Sequence, residues 1–196
     1  MWSKRNNMYR IWNSQKTVDG NKALVPLREE DLLFIMEWRN SQMDILRTKK
    51  ILTSEDQKNY FYNIVAKDFD STEPRQILVS YLEDGKCMGY GGLTYIDWPS
   101  LRAEVSFLMQ TALSRDHARY QQYFAEYLQL LKQLSFHELP LRRLFTETSD
   151  IRPWHIEVLS KCGFRFEGRL RSHVRIGENY VDSLLHGCLR SDEVAT

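Results

Sequence analysis

Two carboxylates and one imidazole stand where the sequence could run proton-transfer chemistry. Glu104 lies in Arg102-Ala-Glu-Val-Ser-Phe-Leu-Met109, whose polar and apolar residues alternate with the period of a strand. Glu147 lies in Arg143-Leu-Phe-Thr-Glu-Thr148, a run of β-formers bounded by Pro140 before it and by Asp150 to Pro153 after it. His155 follows at the start of a helical segment. A carboxylate can take a proton from an amine, and an imidazole, which titrates near neutrality, can give one to a leaving group. With Val105 and Phe107 turned to a core, Glu104 would face a cleft. Neighbouring strands about 4.8 Å apart would let Glu104 and Glu147 share that cleft and raise one another's pKa. Each residue also has a plain structural reading: a surface or salt-bridged strand carboxylate for either glutamate, and a helix histidine bonded to a backbone carbonyl for His155.

Positioning these groups takes a definite order of elements. His117 to Phe136 has apolar residues at Tyr120, Phe124, Tyr127, Leu128, Leu131 and Leu134, a helical spacing. A further helix runs from about Pro153 to Cys162, opening on proline and stopping at Gly163. Strand, helix, strand, helix is the pattern of a parallel pair joined by a crossover helix. Upstream, Ala23-Leu-Val-Pro-Leu27 reads as a short strand, and Arg28-Glu-Glu-Asp31 leads into an amphipathic helix ending around Trp38-Arg39-Asn40. The acidic residues Glu29, Glu30 and Asp31 suit the positive end of that helix. A second helix takes Ser54 as N-cap and runs through Gln57, Tyr60, Phe61 and Ile64. Strands over 75–83 and 86–95 flank Asp84-Gly85, a favoured two-residue hairpin turn, and a last hairpin spans 164–176 and 180–189. The expected fold is mixed α/β: a mostly antiparallel sheet of about seven strands with about four helices. No repeat, low-complexity tract or linker divides it, so 1–196 reads as a single domain.

Composition sets bounds on function. A chain of 196 residues can bury a sizeable core, and a net charge of +1 from 27 basic and 26 acidic side chains gives no global field favouring nucleic acid. Cys87, Cys162 and Cys188 have no paired metal-ligand spacing, so neither a metal nor a disulfide framework is expected, and a reduced cytoplasmic setting is. No apolar run approaches the roughly 18 residues of a membrane span, and Met1 to Lys16 lacks the apolar core of a secretion signal.

The order of elements from Arg102 to Arg171 resembles the acyl-CoA-binding half of the GNAT superfamily of N-acetyltransferases. The resemblance rests on Glu104-Val-Ser-Phe-Leu-Met109, on the basic loop Ser114-Arg-Asp-His-Ala-Arg119, and above all on Arg152-Pro-Trp-His-Ile-Glu-Val-Leu-Ser-Lys-Cys-Gly-Phe164 followed by Glu167-Gly-Arg-Leu-Arg171. It implies splayed parallel strands, with an acetyl-CoA arm pairing along Phe107, Leu108 and Met109. It also implies that the cofactor phosphates lie near Arg115, His117, Ala118, Arg119 and Tyr120, and that Arg152 stands where the family has an asparagine bonding the arm. The family's glycines in the phosphate loop are replaced here by Ala118 and Tyr120; the Tyr120 ring would then lie against the cofactor or displace an amide contact. The tyrosine that many relatives use as an acid is absent, since Leu159-Ser160 occupies its place.

The tripeptide Trp38-Arg39-Asn40 resembles the branch holding ribosomal-protein and nucleotide-amino-sugar acetyltransferases. With Tyr90, Tyr95, Trp98 and Trp154, it suggests a cleft able to stack on a sugar or base. Glycines in Gly89-Tyr-Gly-Gly92 would allow close approach of a ligand or of another backbone. The resemblance and these residues together imply an acetyl-CoA-dependent acetyltransferase, monomeric or homodimeric, acting on a small-molecule amine. A nucleotide-linked amino sugar is the first choice of acceptor, with Trp38, Arg39, Asn40 and Tyr90 as substrate contacts. A protein N-terminal amine, and a non-catalytic acyl-CoA-binding module, are the alternatives.

Overall fold

The computed structural model describes residues 7–46 and 50–195. Eight strands form one sheet: β1 (Thr17–Asp19), β2 (Lys22–Pro26), β3 (Ile77–Glu83), β4 (Lys86–Asp97), β5 (Arg102–Met109), β6 (Arg143–Ser149), β7 (Arg165–Ile176) and β8 (Asn179–Leu189), in the order β1-β2-β3-β4-β5-β6-β8-β7. All neighbours are antiparallel except β5 and β6. The strand beyond the expected seven is β1, whose three residues are too few to show a period.

Helices α1 (Leu32–Ser41), α2 (Ser54–Tyr60) and α3 (Ala66–Phe69) fall between β2 and β3, with a π-helical turn, Phe61–Val65, joining the last two. Helices α4 (Thr111–Ser114) and α5 (His117–Gln133) fill the crossover from β5 to β6, and α6 (Pro153–Lys161) follows β6. The cap of α2 is Thr53 rather than Ser54. Thr53 accepts the Asp56 N–H and Asp56 accepts the Thr53 N–H, a reciprocal box that the Thr-x-x-Asp spacing favours. Asp84 and Gly85 have φ of 48° and 78°, as a two-residue turn matching the strand twist requires.

Side chains alternate across the sheet, so its faces carry different loads. Towards α5, the Phe107 ring lies 4.9 Å from Phe124 and 4.4 Å from Tyr127, and Tyr81 lies 5.6 Å from Tyr127. Gly91 serves this packing: a Cβ there would stand 2.6 Å from the Tyr127 hydroxyl. Gly92, at φ 127°, takes a backbone conformation that other residues avoid. The close approach allowed by the glycine run is thus to α5 and to neighbouring strands. Leu78 and Tyr90 point to the opposite face, where they line a cavity with Arg39, Gln57 and Tyr60 of the α1 and α2 side.

Candidate active site

Strands β5 and β6 pair only through Arg102↔Arg143, Ala103↔Leu144 and Glu104↔Phe145; beyond Glu104 they part. Glu104 stands at the last pair, 7 % exposed, on the face away from the Phe107 rings. From Val105 to Met109, β5 pairs with β4 on one side, and among the described residues no strand pairs with its other edge. That edge has the backbone donors and acceptors that an extended, amide-bearing arm could bond. Past the last β5–β6 pair, Thr146 Oγ1, Arg152 Nε, Ser183 Oγ and His186 Nδ1 are buried without hydrogen-bond partners, and Thr146 and His186 are paired across β6 and β8. Buried polar atoms ordinarily find partners, so these atoms suit a polar occupant. The residues present therefore fit the arm of an acyl-CoA.

The mouth of the gap is the N-terminus of α5. Arg115, His117, Ala118 and Arg119 are exposed there, and the His117 ring stacks on Trp154 of α6 with centroids 3.8 Å apart. Asp116 caps the helix: its carboxylate accepts the Arg119 N–H at 3.2 Å, and its carbonyl accepts the Tyr120 N–H at 2.8 Å. Two amides of the first turn are thus held by the chain itself, which leaves the exposed cations as the groups that could neutralise phosphates.

The structure places Tyr120 elsewhere than at the loop surface. It is 4 % exposed, 6.2 Å from the Phe107 ring, and its hydroxyl lies 2.6 Å from His155 Nδ1. Burial pushes its pKa up to about 12. Its helical position, in phase with Phe124, Tyr127 and Leu131, carries the ring inward. His155 is not bonded to a backbone carbonyl through Nδ1, and it does not offer an imidazolium proton at neutral pH. Burial, and then the nearby charges of Arg152 and His186, hold its pKa well below the ordinary value, and it stacks on Phe124 at 4.3 Å. Arg152 does not pair with Asp150, because Arg169 takes that carboxylate at 2.7 Å.

Glu147 lies two residues past the last β5–β6 pair, on the part of β6 that has left β5, so the two glutamates do not stand side by side across paired strands. Its Oε1 is 3.5 Å from His173 Nε2 of β7.

On the α1 face, Arg39 and Tyr90 meet: the guanidinium donates to the Tyr90 hydroxyl, and both line a cavity of about 330 Å³. Asn40 does other work. Its amide donates to the Leu52 carbonyl at 2.9 Å and accepts the Leu52 N–H at 2.8 Å, fixing the segment that leads into α2. Trp38 is 7 % exposed and packs into the core, so it does not line the cavity. Tyr60, on α2, lines this cavity and a second one of about 550 Å³ beside it, formed with Lys67, Arg75 and Tyr95. From sequence, Tyr60 has a helix position and no role; its spacing with Asn63, Ile64 and Lys67 is the available signal.

Comparison with known proteins agrees with this geometry. Spermidine N-acetyltransferase from Vibrio cholerae, solved in complex with CoA and spermine, has a TM-score of 0.75 at 17 % identity, over 90 % of this chain and 99 % of that one. A K23-Q34 chimera of the Vibrio cholerae enzyme and hSSAT gives 0.73 at 18 %, over 90 % and 100 %. A second chimera of the same two proteins gives 0.71 at 18 %, again over 90 % and 100 %. At such identities the likeness is one of fold. No curated protein matches the sequence. The family model described as "Acetyltransferase (GNAT) domain" matches residues 24–185, and the chain belongs to the GNAT acetyltransferase family, as an acetyl-CoA-dependent N-acetyltransferase.

Proposed function

We propose that the chain moves the acetyl group of acetyl-CoA to the primary amine of a nucleotide-linked amino sugar, a cytoplasmic step of surface polysaccharide biosynthesis. The observation that carries this reading is the character of the cavities on the α1–α3 face. Their walls hold Tyr60, Tyr90 and Tyr95 and the cations Arg39, Lys67 and Arg75. Aromatic faces and cations suit a base, a sugar and phosphates, whereas a polyamine would bring its positive charges against like charge. The carboxylates on these walls are engaged, Asp56 with Lys50 at 3.0 Å and Asp68 with the Arg75 N–H at 3.0 Å.

In this reading the backbone of Phe107, Leu108 and Met109 holds the cofactor arm, with Arg152 beside it. Arg115, His117, Ala118 and Arg119 face the phosphates, while Tyr120 supports the wall from within. The bound acetyl-CoA supplies a thioester carbonyl. Glu104, at the point where the strands part, takes the proton of the attacking amine, and Glu147 is the second carboxylate on the same face. His155 acts as a neutral ring. With Nδ1 accepting from the Tyr120 hydroxyl, its remaining N–H is on Nε2 and donates a hydrogen bond towards the departing sulfur. Arg39 and Tyr90 orient the acceptor.

The test is mass analysis of nucleotide-linked amino sugars, spermidine and a peptide with a free N-terminus, each incubated with the protein and acetyl-CoA. Acetylation of a nucleotide-linked sugar in preference to the other two is expected. Preferred acetylation of spermidine or of the peptide would overturn the assigned acceptor.

A further inference from the structure

The larger cavity on the α1–α3 face has a construction of its own. It is an open cleft of about 550 Å³, and a departure from regular backbone faces it from each of two sides. On the helix side, the π-helical turn Phe61–Val65 interrupts the run from α2 to α3, and Tyr60, Ile64 and Lys67 line the cavity. Such turns widen a helix locally by one residue and recur at functional sites. On the strand side, β4 loses register with β5 between Thr94 and Asp97. Tyr95, within that bulge, adopts φ 47°, a conformation uncommon for a residue with a side chain. Its ring is left 70 % exposed, and that of Tyr60 is 42 % exposed. The Tyr60 hydroxyl donates to Gln76 Oε1 at 2.9 Å, which fixes one ring at the cavity wall.

Charge completes the picture. Lys67 and Arg75 line the same cavity, and Arg75 is also attracted to the Asp68 carboxylate beside it. The one carboxylate on the lining, Asp68, is 7 % exposed and is bonded to the Arg75 backbone N–H. Tyr60 is shared with the cavity that holds Arg39 and Tyr90, so the two spaces adjoin.

We infer that this cavity is a nucleoside diphosphate subsite, in which Tyr60 and Tyr95 take the flat base while Lys67 and Arg75 take the diphosphate. The inference rests on the acceptor being nucleotide-linked, and it directs the amine-bearing end of that acceptor towards Arg39 and Tyr90. Aromatic rings stack on any base, and exposed cations bind phosphate oxygens strongly. Each of the four side chains comes from a different stretch of chain or a different turn, and all four converge on the one space.

The experiment is calorimetric titration of the full chain with UDP, dTDP and GDP in the presence of saturating CoA, so that the cofactor's own adenosine diphosphate end cannot account for binding. At least one of the three is expected to bind. Tyr95→Ala, and the pair Lys67→Ala with Arg75→Ala, should each weaken it about tenfold or more. These side chains are exposed, and thermal melts of the variants verify that the fold is kept. Absence of binding by all three diphosphates, or binding untouched by the variants, overturns the subsite. Acetylation of a nucleotide-linked sugar with KM unchanged in the variants also rejects the subsite and leaves the proposed acceptor standing. Variant-sensitive diphosphate binding without acetylation of any nucleotide-linked sugar retains the subsite and rejects the acceptor.

Discussion

The two faces of the sheet differ in how they use aromatic residues. Towards α5 and α6, Phe107, Tyr120, Phe124, Tyr127 and His155 close into one ring cluster, with centroids 4.3 to 6.2 Å apart. Towards α1, α2 and α3, Tyr60, Tyr90 and Tyr95 border cavities of about 330 and 550 Å³. One face is closely packed where β5 and β6 diverge; the other holds the cavities that the proposed function assigns to the acceptor. Glu104 sits where the strands part, on the side away from the packed rings, so the packing of the first face bears on where the proposed base stands.

The largest effect should come from emptying the packed face. Phe124 is 1 % exposed, and Phe124→Ala should cost about 3–5 kcal/mol in urea unfolding. Tyr60→Ala, on the hollow face, should cost under about 1 kcal/mol, because its ring is 42 % exposed. Equal losses in the two variants would break the comparison.

Tyr120 sharpens it at a smaller scale. Tyr120→Phe removes the bond to His155 Nδ1 and leaves a buried ring nitrogen unpaired, for an expected loss of about 1–3 kcal/mol. Tyr120→Gly, which would restore a glycine to the loop, also deletes a buried ring and adds helix-breaking freedom, so it should destabilise by more than Tyr120→Phe. Thermal melts rank the two, and a Tyr120→Gly protein as stable as wild type would place the ring outside the core.

On the hollow face, Asn40 ties the α1–α2 connection to Leu52, and Leu52 lines the Arg39 cavity. Asn40→Ala should lower stability by about 1–2 kcal/mol and raise the acceptor KM more than it lowers kcat. A fall in kcat at unchanged KM would instead put Asn40 in the chemistry.

Legibility in the sequence divides along the same line. The alternation over Arg102 to Met109 and the helical phase from Tyr120 to Leu134 each run for several periods, so strand, helix and packed face can be read directly. The inward turn of Tyr120 is readable from that phase; matching it to a loop pattern points it outward instead. The hollow face is not readable, because it depends on a π-helical turn and a β-bulge that shift side chains by one residue without any local composition to announce them. The splay of β5 from β6 ends pairing at Glu104↔Phe145, a tertiary event that puts Glu147 on the unpaired part of β6 rather than directly across from Glu104.

The smallest effect at neutral pH, and the most specific, concerns two buried histidines, His155 of α6 and His186 of β8. Burial lowers the pKa of both His155 and His186, that of His155 well below the ordinary value. A histidine with a lower pKa in the folded than in the unfolded chain binds fewer protons when folded. Its contribution is nil above about pH 7.5, and stability then falls as pH drops through about 6.5, where the unfolded chain begins to take up protons. Urea midpoints of the wild type should therefore decline between about pH 7.5 and 5.5, before most carboxylates titrate. His155→Gln should flatten that decline while being less stable at the higher pH, through loss of its stacking on Phe124. A wild-type midpoint constant over that range, or an equal slope in the variant, would show that His155 is not held neutral on the packed face.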